Sequence, residues 1–300
     1  MSHVHKTFSA ETLKAAVVND FPELYIQSFS LINNGWDNVA VLVNGEYIFR
    51  FPKDEEVDFD RELRVLSFLR GKISLPIPEV LFVGKTMKYM GYKRIPGGDL
   101  TAEIYQSLEA EQKDKLVSDF VRFLSEFHQV FSISEAEAMG ITREQPFSYT
   151  EKIRAKLPGK VKDVTIEEFI LETVEEYNGV MKESAEQVVL YNDLHTENIA
   201  FDPDTKKLNG IFDFGDVAIG DINKEFAPLY KLDSKFLEKV ISQYEIVTGR
   251  SVSLRRVVLH ERIQEITDLV LEFIDKPDSG VYKRAMGRIK KWMGERTLYK

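Results

Sequence analysis

Tyr191-Asn192-Asp193-Leu194-His195-Thr196-Glu197-Asn198-Ile199-Ala200-Phe201 is followed, twelve residues after that phenylalanine, by Asp213-Phe214-Gly215-Asp216. Transfer of a phosphoryl group to a hydroxyl needs a carboxylate to accept the hydroxyl proton. It also needs an amide oxygen and a second carboxylate to hold Mg²⁺ against the phosphates. Asp193, Asn198 and Asp213 supply that set. Between them, Ile199 to Phe201 and Leu208 to Phe212 read as two short strands joined by the turn-rich Asp202-Pro-Asp-Thr-Lys-Lys207. Such a hairpin returns Asp213 to the side of Asn198. Each motif alone is ordinary loop sequence, since Asp, Asn and Gly are common in turns; their order and the strand-turn-strand between them carry the weight.

The first ninety-odd residues read as strand-rich after an opening helix. Val39 to Val43 and Glu46 to Arg50 flank Asn44-Gly45, the strongest short-range hairpin signal, because both turn residues tolerate positive φ. A helix is predicted around Phe59 to Leu69, with Phe59, Leu63, Leu66 and Leu69 apolar and Gly71 at its end. After Leu75-Pro-Ile-Pro-Glu79, strands are predicted at Val80 to Val83 and Lys88 to Tyr92. Lys93-Arg-Ile-Pro-Gly-Gly98 then reads as a crossing segment. Beyond it the pattern turns helical. Leu116, Phe120, Phe123, Leu124 and Phe127 form one stripe, and Thr165-Ile-Glu-Glu168 reads as a capping box. Phe236, Leu237, Val240, Ile241 and Tyr244 form another stripe, and Leu259, Ile263, Ile266, Val270 and Phe273 a further one. The basic amphipathic stretch Tyr282 to Trp292 is expected to pack on the helical part with a solvated basic face.

The catalytic segment, with the phrases around it, resembles the aminoglycoside phosphotransferase family of kinase-like antibiotic kinases, and within it the 2″-phosphotransferase subgroup. That subgroup shows a His-Asn-Asp loop, an Ile-Asp-Phe-Gly-Asp strand end and a following Asp-Pro-x-x-Asp-Phe. Here the corresponding residues are Tyr191-Asn192-Asp193, Phe212-Asp213-Phe214-Gly215-Asp216 and Asp221-Ile-Asn-Lys-Glu225-Phe226. Tyr191 replaces the usual histidine and Glu225 the usual aspartate. The resemblance implies an α+β, protein-kinase-like, two-lobed fold, with a small β-rich N-terminal lobe over residues 1–95 and a larger helical C-terminal lobe over 96–300. Its implied activity is transfer of the γ-phosphoryl group of GTP or ATP, with Mg²⁺, to an aminoglycoside hydroxyl.

The remaining site residues follow from position and from that resemblance. Asn33-Asn34-Gly35-Trp36-Asp37-Asn38 has one glycine to let backbone N–H groups approach an anion, so Asn34 and Gly35 are nucleotide-loop candidates; an ordinary turn is the alternative. Arg50 stands where the family commonly has a lysine that contacts phosphates and pairs with a helix glutamate, here Glu62. The planar fork of arginine can bind phosphate and carboxylate together. Two solvated surface charges are the plainer reading. Tyr92 aligns with the gate of the base pocket in the 2″ enzymes, where a bulky residue accompanies GTP preference, and backbone groups near Arg94 and Ile95 are expected to read the base edge. Glu261, Glu265, Asp268 and Glu272, spaced by four, three and four, share one helical stripe. They read either as a solvated acidic face or, by the resemblance, as a cradle for ammonium groups to which Asp216, Asp221 and Glu225 add, alongside Asp193. His195 is taken as loop structure, and His3, His5, His128 and His260 lack a metal-ligand context.

Composition narrows the partners. The chain has 300 residues, 43% hydrophobic content, no cysteine and a net charge of −9. That length and apolar content can bury a substantial core, and no cysteine excludes a disulfide framework or thiolate metal site. The acidic balance disfavours nucleic acid, whose binding needs Lys and Arg against phosphates, and suits a cationic substrate. No run of about 18 apolar residues is present, so a cytoplasmic monomer without membrane contact is expected. A protein kinase is excluded because Asp213-Phe-Gly-Asp runs straight into Val-Ala-Ile-Gly-Asp221 with no activation segment or Ala-Pro-Glu. Two other readings stay open: a kinase for a macrolide, choline or sugar, and a catalytically silent nucleotide-binding relative, the latter prompted by Tyr191 and Arg50.

Overall fold

A computed structural model describes residues 8–34, 38–53 and 58–294. In chain order the elements are α1 (Ala10–Asp20), β1 (Phe29–Asn34), β2 (Asn38–Val43), β3 (Tyr47–Pro52), α2 (Phe59–Leu69), β4 (Val80–Val83), β5 (Met90–Lys93), α3 (Ala102–Gln106), α4 (Ala110–Val130), α5 (Ile133–Ala138), α6 (Pro146–Lys156) and α7 (Val164–Val180). They continue with β6 (Gln187–Leu190), β7 (Ile199–Asp202), β8 (Lys207–Ile211), β9 (Ala218–Asp221), α8 (Leu229–Leu232), α9 (Ser234–Thr248), α10 (Leu254–Asp268) and α11 (Gly280–Gly294). The chain divides into two compact units, one of the residues up to Ile141 with His195–Val217, the other of Thr142–Leu194 with Ala218 onward.

The first unit is built on an antiparallel sheet of order β1-β2-β3-β5-β4. Its central hairpin turns at Asn44 and Gly45, both left-handed at φ 56 and 68, as a type I′ turn requires. The Asn44 side chain accepts from the Gln27 and Ser28 N–H groups and donates to Tyr25 O, pinning the approach to β1. Alternating inward residues Val39, Val41, Val43, Phe49 and Phe51 join Leu13 and Val17 of α1 in one apolar cluster. The same unit carries the β7–β8 hairpin, in which Ile199 pairs with Ile211 and Asp202 with Lys207. The sequence boundary near residue 95 falls inside this unit. There Gly98 bridges Phe201 of β7, with Gly98 N–H to Phe201 O and Phe201 N–H to Gly98 O both at 2.8 Å.

The second unit holds the short β6–β9 ladder, Leu190 opposite Ala218 and Gln187 opposite Asp221. Around it α6, α7, α10 and α11 share a core that includes Ile153, Ile170, Val174, Ile263, Ile266 and Trp292. Ala285, Ile289 and Trp292 are the buried face of α11, so the basic C-terminal helix packs as expected. The start of α7 differs from expectation. Its cap is Asp163, which accepts from the Thr165 N–H and hydroxyl, because an extended residue preceding the first turn can aim its carboxylate at unpaired N–H groups. The stripe on α10 runs through a π-helical turn at Leu269–Phe273, where Phe273 is only half-buried. Among the described residues, no helix is long and apolar enough to cross a membrane.

Candidate active site

In the first unit the β7–β8 hairpin does what its sequence demands. The Phe212 N–H donates to Asn198 O at 3.0 Å, so Asp213, the next residue, is set beside Asn198. Asp213 sits at φ 68, a conformation that costs a non-glycine residue about 1–3 kcal/mol and is tolerated best by Asp and Asn. Arg50 lies in mid-sheet, paired across to Ala40 of β2 and Met90 of β5. Its guanidinium forks, with Nη1 to Glu62 Oε1 at 2.6 Å and Nη2 to Asp213 Oδ1 at 2.7 Å. Arg50 and Glu62 are 7% and 3% exposed, which removes the reading of two solvated charges.

Burial works against the charge of Arg50, but Glu62 and Asp213 outweigh it and hold its pKa well above the ordinary value. Burial raises the Glu62 carboxyl, with Arg50 pulling it down and Asp213 pushing it further up. Glu62 also accepts from the Phe214 N–H at 3.3 Å, and Arg61 donates to Gly215 O at 2.7 Å, so the start of α2 grips the Asp213-Phe-Gly segment. Tyr92 is buried, and burial raises its hydroxyl well above the ordinary tyrosine value, with Arg50 pulling it down and Glu62 and Asp213 pushing it up. The Arg94 N–H donates to Glu46 O at 2.7 Å, and Ile95 is half-buried. Gly35 and the Asn34 side chain lie outside the described residues. Asp216 is exposed.

Asn198 and Asp213 offer an amide oxygen and a carboxylate, the hard donors Mg²⁺ prefers, and Mg²⁺ is commonly held by one or two carboxylates with phosphates completing its shell. Among the described residues, no group of three or more His, Asp or Glu side chains could hold a metal by itself. The donor set therefore suits a metal that arrives with a nucleotide.

The second unit carries Asp193, half-buried at the end of the segment that leaves β6. The preceding Asn192 is left-handed at φ 70. Glu225, 1% exposed, accepts from the Tyr191 N–H at 2.7 Å and the Asn192 N–H at 3.1 Å. It therefore stands beneath the loop rather than in an open wall. Asp221 is also inward. It accepts from Arg256 Nη2 at 2.6 Å and pairs with His260 Nε2 at 3.2 Å. Burial opposes its charge, yet the bonds from His260, the Asn223 N–H and Arg256 hold it far below the usual carboxylate range.

Glu261 and Glu265 overturn the solvated-face reading, being 1% and 4% exposed. Lys231 lies 3.0 Å from Glu261 and 3.5 Å from Glu265, and Arg288 also bonds Glu265. The charge stripe could not reveal this, because the partners come from α8 and α11. Asp268 is half-buried and accepts from Gln264 at 3.0 Å, while Glu272 is exposed. The second unit also has an open pocket of about 310 Å³. Glu144, Tyr177, Asp221, Lys224, Arg256 and His260 are among its lining, and Asp193 is not. Glu144, Lys224 and Arg256 escaped the sequence reading, since isolated charges carry no pattern; His260 and Arg256, four apart on α10, were the one available signal.

A family model described as "Phosphotransferase enzyme family" matches residues 28–258. The GDP complex of a mutant aminoglycoside 2′-phosphotransferase-IIIa matches with a TM-score of 0.83 and 21% identity, covering 97% of this chain and 100% of that one. The GDP and kanamycin complex of APH(2″)-IIIa matches at 0.82 and 23%, covering 94% and 98%. Macrolide 2′-phosphotransferase type I matches at 0.68 and 16%, covering 94% and 98%. At these identities the likeness is one of fold, and it agrees with the expected α+β, kinase-like class.

Proposed function

The chain belongs to the phosphotransferase enzyme family, and from that premise we propose that it moves the γ-phosphoryl group of GTP or ATP to a hydroxyl of an aminoglycoside-like acceptor. The observation that carries the reading is the return of Asp213 beside Asn198, with Arg50 forked between Asp213 and Glu62. Asp193 takes the acceptor's hydroxyl proton as its oxygen bonds to the γ-phosphorus and the bond to the nucleoside diphosphate oxygen breaks. Asn198 and Asp213 would hold Mg²⁺, which neutralises phosphate charge. Arg50 bonds Asp213 and aligns it, while Glu62 fixes its fork.

Acceptor identity is the less supported half. GDP and kanamycin complexes of similar folds favour a 2″-type aminoglycoside reaction with GTP. A second reading, a less cationic hydroxylated acceptor such as a macrolide, is favoured by the internal pairing of Asp221, Glu225 and Glu265, which leaves less uncompensated acid than an ammonium cradle needs. Purified protein with Mg²⁺ and either nucleotide, assayed for diphosphate release with gentamicin, kanamycin, a macrolide and choline, separates the two. Asp193→Asn should lower turnover of the best acceptor by about 10²–10⁴-fold; a mutant within threefold of wild type would remove Asp193 as the base.

A further inference from the structure

We propose that Glu144 is a positioning residue for phosphoryl transfer, holding Asn192 so that the adjoining Asp193 carboxylate is fixed, a role that rests on Asp193 acting as the base. Asn192 is left-handed at φ 70, a conformation that must be held by its surroundings. Two carboxylates from different segments hold it. Glu225 takes the backbone N–H groups of Tyr191 and Asn192. Glu144 Oε1 accepts from the Asn192 side-chain Nδ2 at 2.9 Å. The backbone is thus anchored by one acid and the side chain by the other, which fixes the direction in which the chain proceeds to Asp193.

The mount of Glu144 is rigid. Its N–H donates to Ile219 O at 2.9 Å, and the Ile219 N–H donates to Thr142 O at 2.9 Å, so the segment runs as a parallel partner of β9. Lys224 Nζ holds the second oxygen, Oε2, at 2.8 Å, leaving Oε1 aimed at Asn192. Gly220 makes the room, because a Cβ there would lie 2.8 Å from Leu190 Cδ1 and 3.0 Å from Glu144 Cγ. The Glu144 and Lys224 side chains are 21% and 25% exposed and line the pocket, so truncating Glu144 opens onto existing space instead of leaving a core void.

The test is a double-mutant cycle on the full chain, with kcat and nucleotide KM measured for Mg²⁺-GTP and kanamycin, and in parallel for basal GTP hydrolysis. Glu144→Ala should lower kcat about tenfold or more with nucleotide KM within about twofold, since misplacement by about 1 Å can cost roughly 10²-fold. Glu144→Gln keeps an acceptor oxygen and should restore most of kcat. Asn192→Gly accepts the left-handed backbone but lacks the amide; it should match Glu144→Ala, and the double mutant should be no slower than either. Lys224→Met removes the ion pair to Glu144 Oε2 but keeps the Oε1 bond to Asn192, so it should lower kcat less than Glu144→Ala does. Wild-type kcat in Glu144→Ala, multiplying losses in the double mutant, or an equal loss in Lys224→Met would each overturn the role. If Glu144→Ala does not fold, full kcat in folded Asn192→Gly overturns it instead. Asp193→Asn run alongside separates the premise: activity there defeats the base assignment, whereas its loss with unchanged Glu144→Ala defeats only the positioning.

Discussion

Arg50 Nη2 donates to Asp213 Oδ1 across 2.7 Å, joining the middle of the N-terminal sheet to a residue 163 positions further along the chain. With Glu62 on its other nitrogen, Arg50 bridges two carboxylates, Glu62 buried and Asp213 partly open to solvent. Replacing it with methionine leaves Glu62 buried without its partner. Arg50→Met should therefore lose about 3–5 kcal/mol in urea unfolding. Arg50→Lys should lose less but raise nucleotide KM, because a point charge cannot fork. A loss below about 1 kcal/mol in Arg50→Met would show that the pair carries no net stability.

Tyr92 lies buried beside Arg50, at the position expected to gate the base pocket. If it narrows the base pocket, wild-type kcat/KM should be higher for GTP than for ATP. Tyr92→Met should then improve ATP use about tenfold, since a pocket shaped for one base edge leaves polar groups unpaired with the other. Steady-state kinetics with both nucleotides check this; equal efficiencies in wild type, unchanged by the substitution, would dismiss the gate.

Gly97 is at φ 144, and a Cβ there would meet Ala200 C at 2.8 Å and Phe201 N and O at 2.9 Å, all backbone. Gly97→Ala should cost at least about 1–3 kcal/mol. Gly98→Ala, with nothing within 4 Å, should stay within about 0.5 kcal/mol. Thermal and urea unfolding of the two variants measure the contrast, and equal effects would show that the segment yields.

Burial pushes the Glu261 carboxyl up to about 7, with Lys231 pulling it down and Glu265 adding to the rise. An acid whose folded pKa is raised binds its proton more tightly when folded. Its contribution is complete below its unfolded pKa, near 4.5, and is lost as pH rises through about 7. Glu261→Gln should therefore gain stability relative to wild type between about pH 5 and pH 8, by roughly 2–3 kcal/mol. Parallel unfolding curves at the two pH values test it; a difference that does not change with pH would remove Glu261 from the titration.

Local chemistry was legible in the chain. Patterning placed β2, β3, β4, β7 and β8 and the helices α2, α4, α9 and α10, Asn44-Gly45 the central hairpin, and Asp202 to Lys207 the turn that brings Asp213 beside Asn198. Each of these is a property of neighbouring residues, readable wherever backbone preference and hydrophobic period agree. Which charges are neutralised, and by which partners, emerges only from the packed fold. Glu261 and Glu265 read as a solvated stripe or an ammonium cradle because their partners, Lys231 and Arg288, come from other helices. Glu225 read as part of a substrate wall although both of its oxygens hold the backbone ahead of Asp193. Glu144 carried no signal at all. A carboxylate's role is set by the donors within about 3 Å of it, and those donors are assembled from segments tens of residues apart.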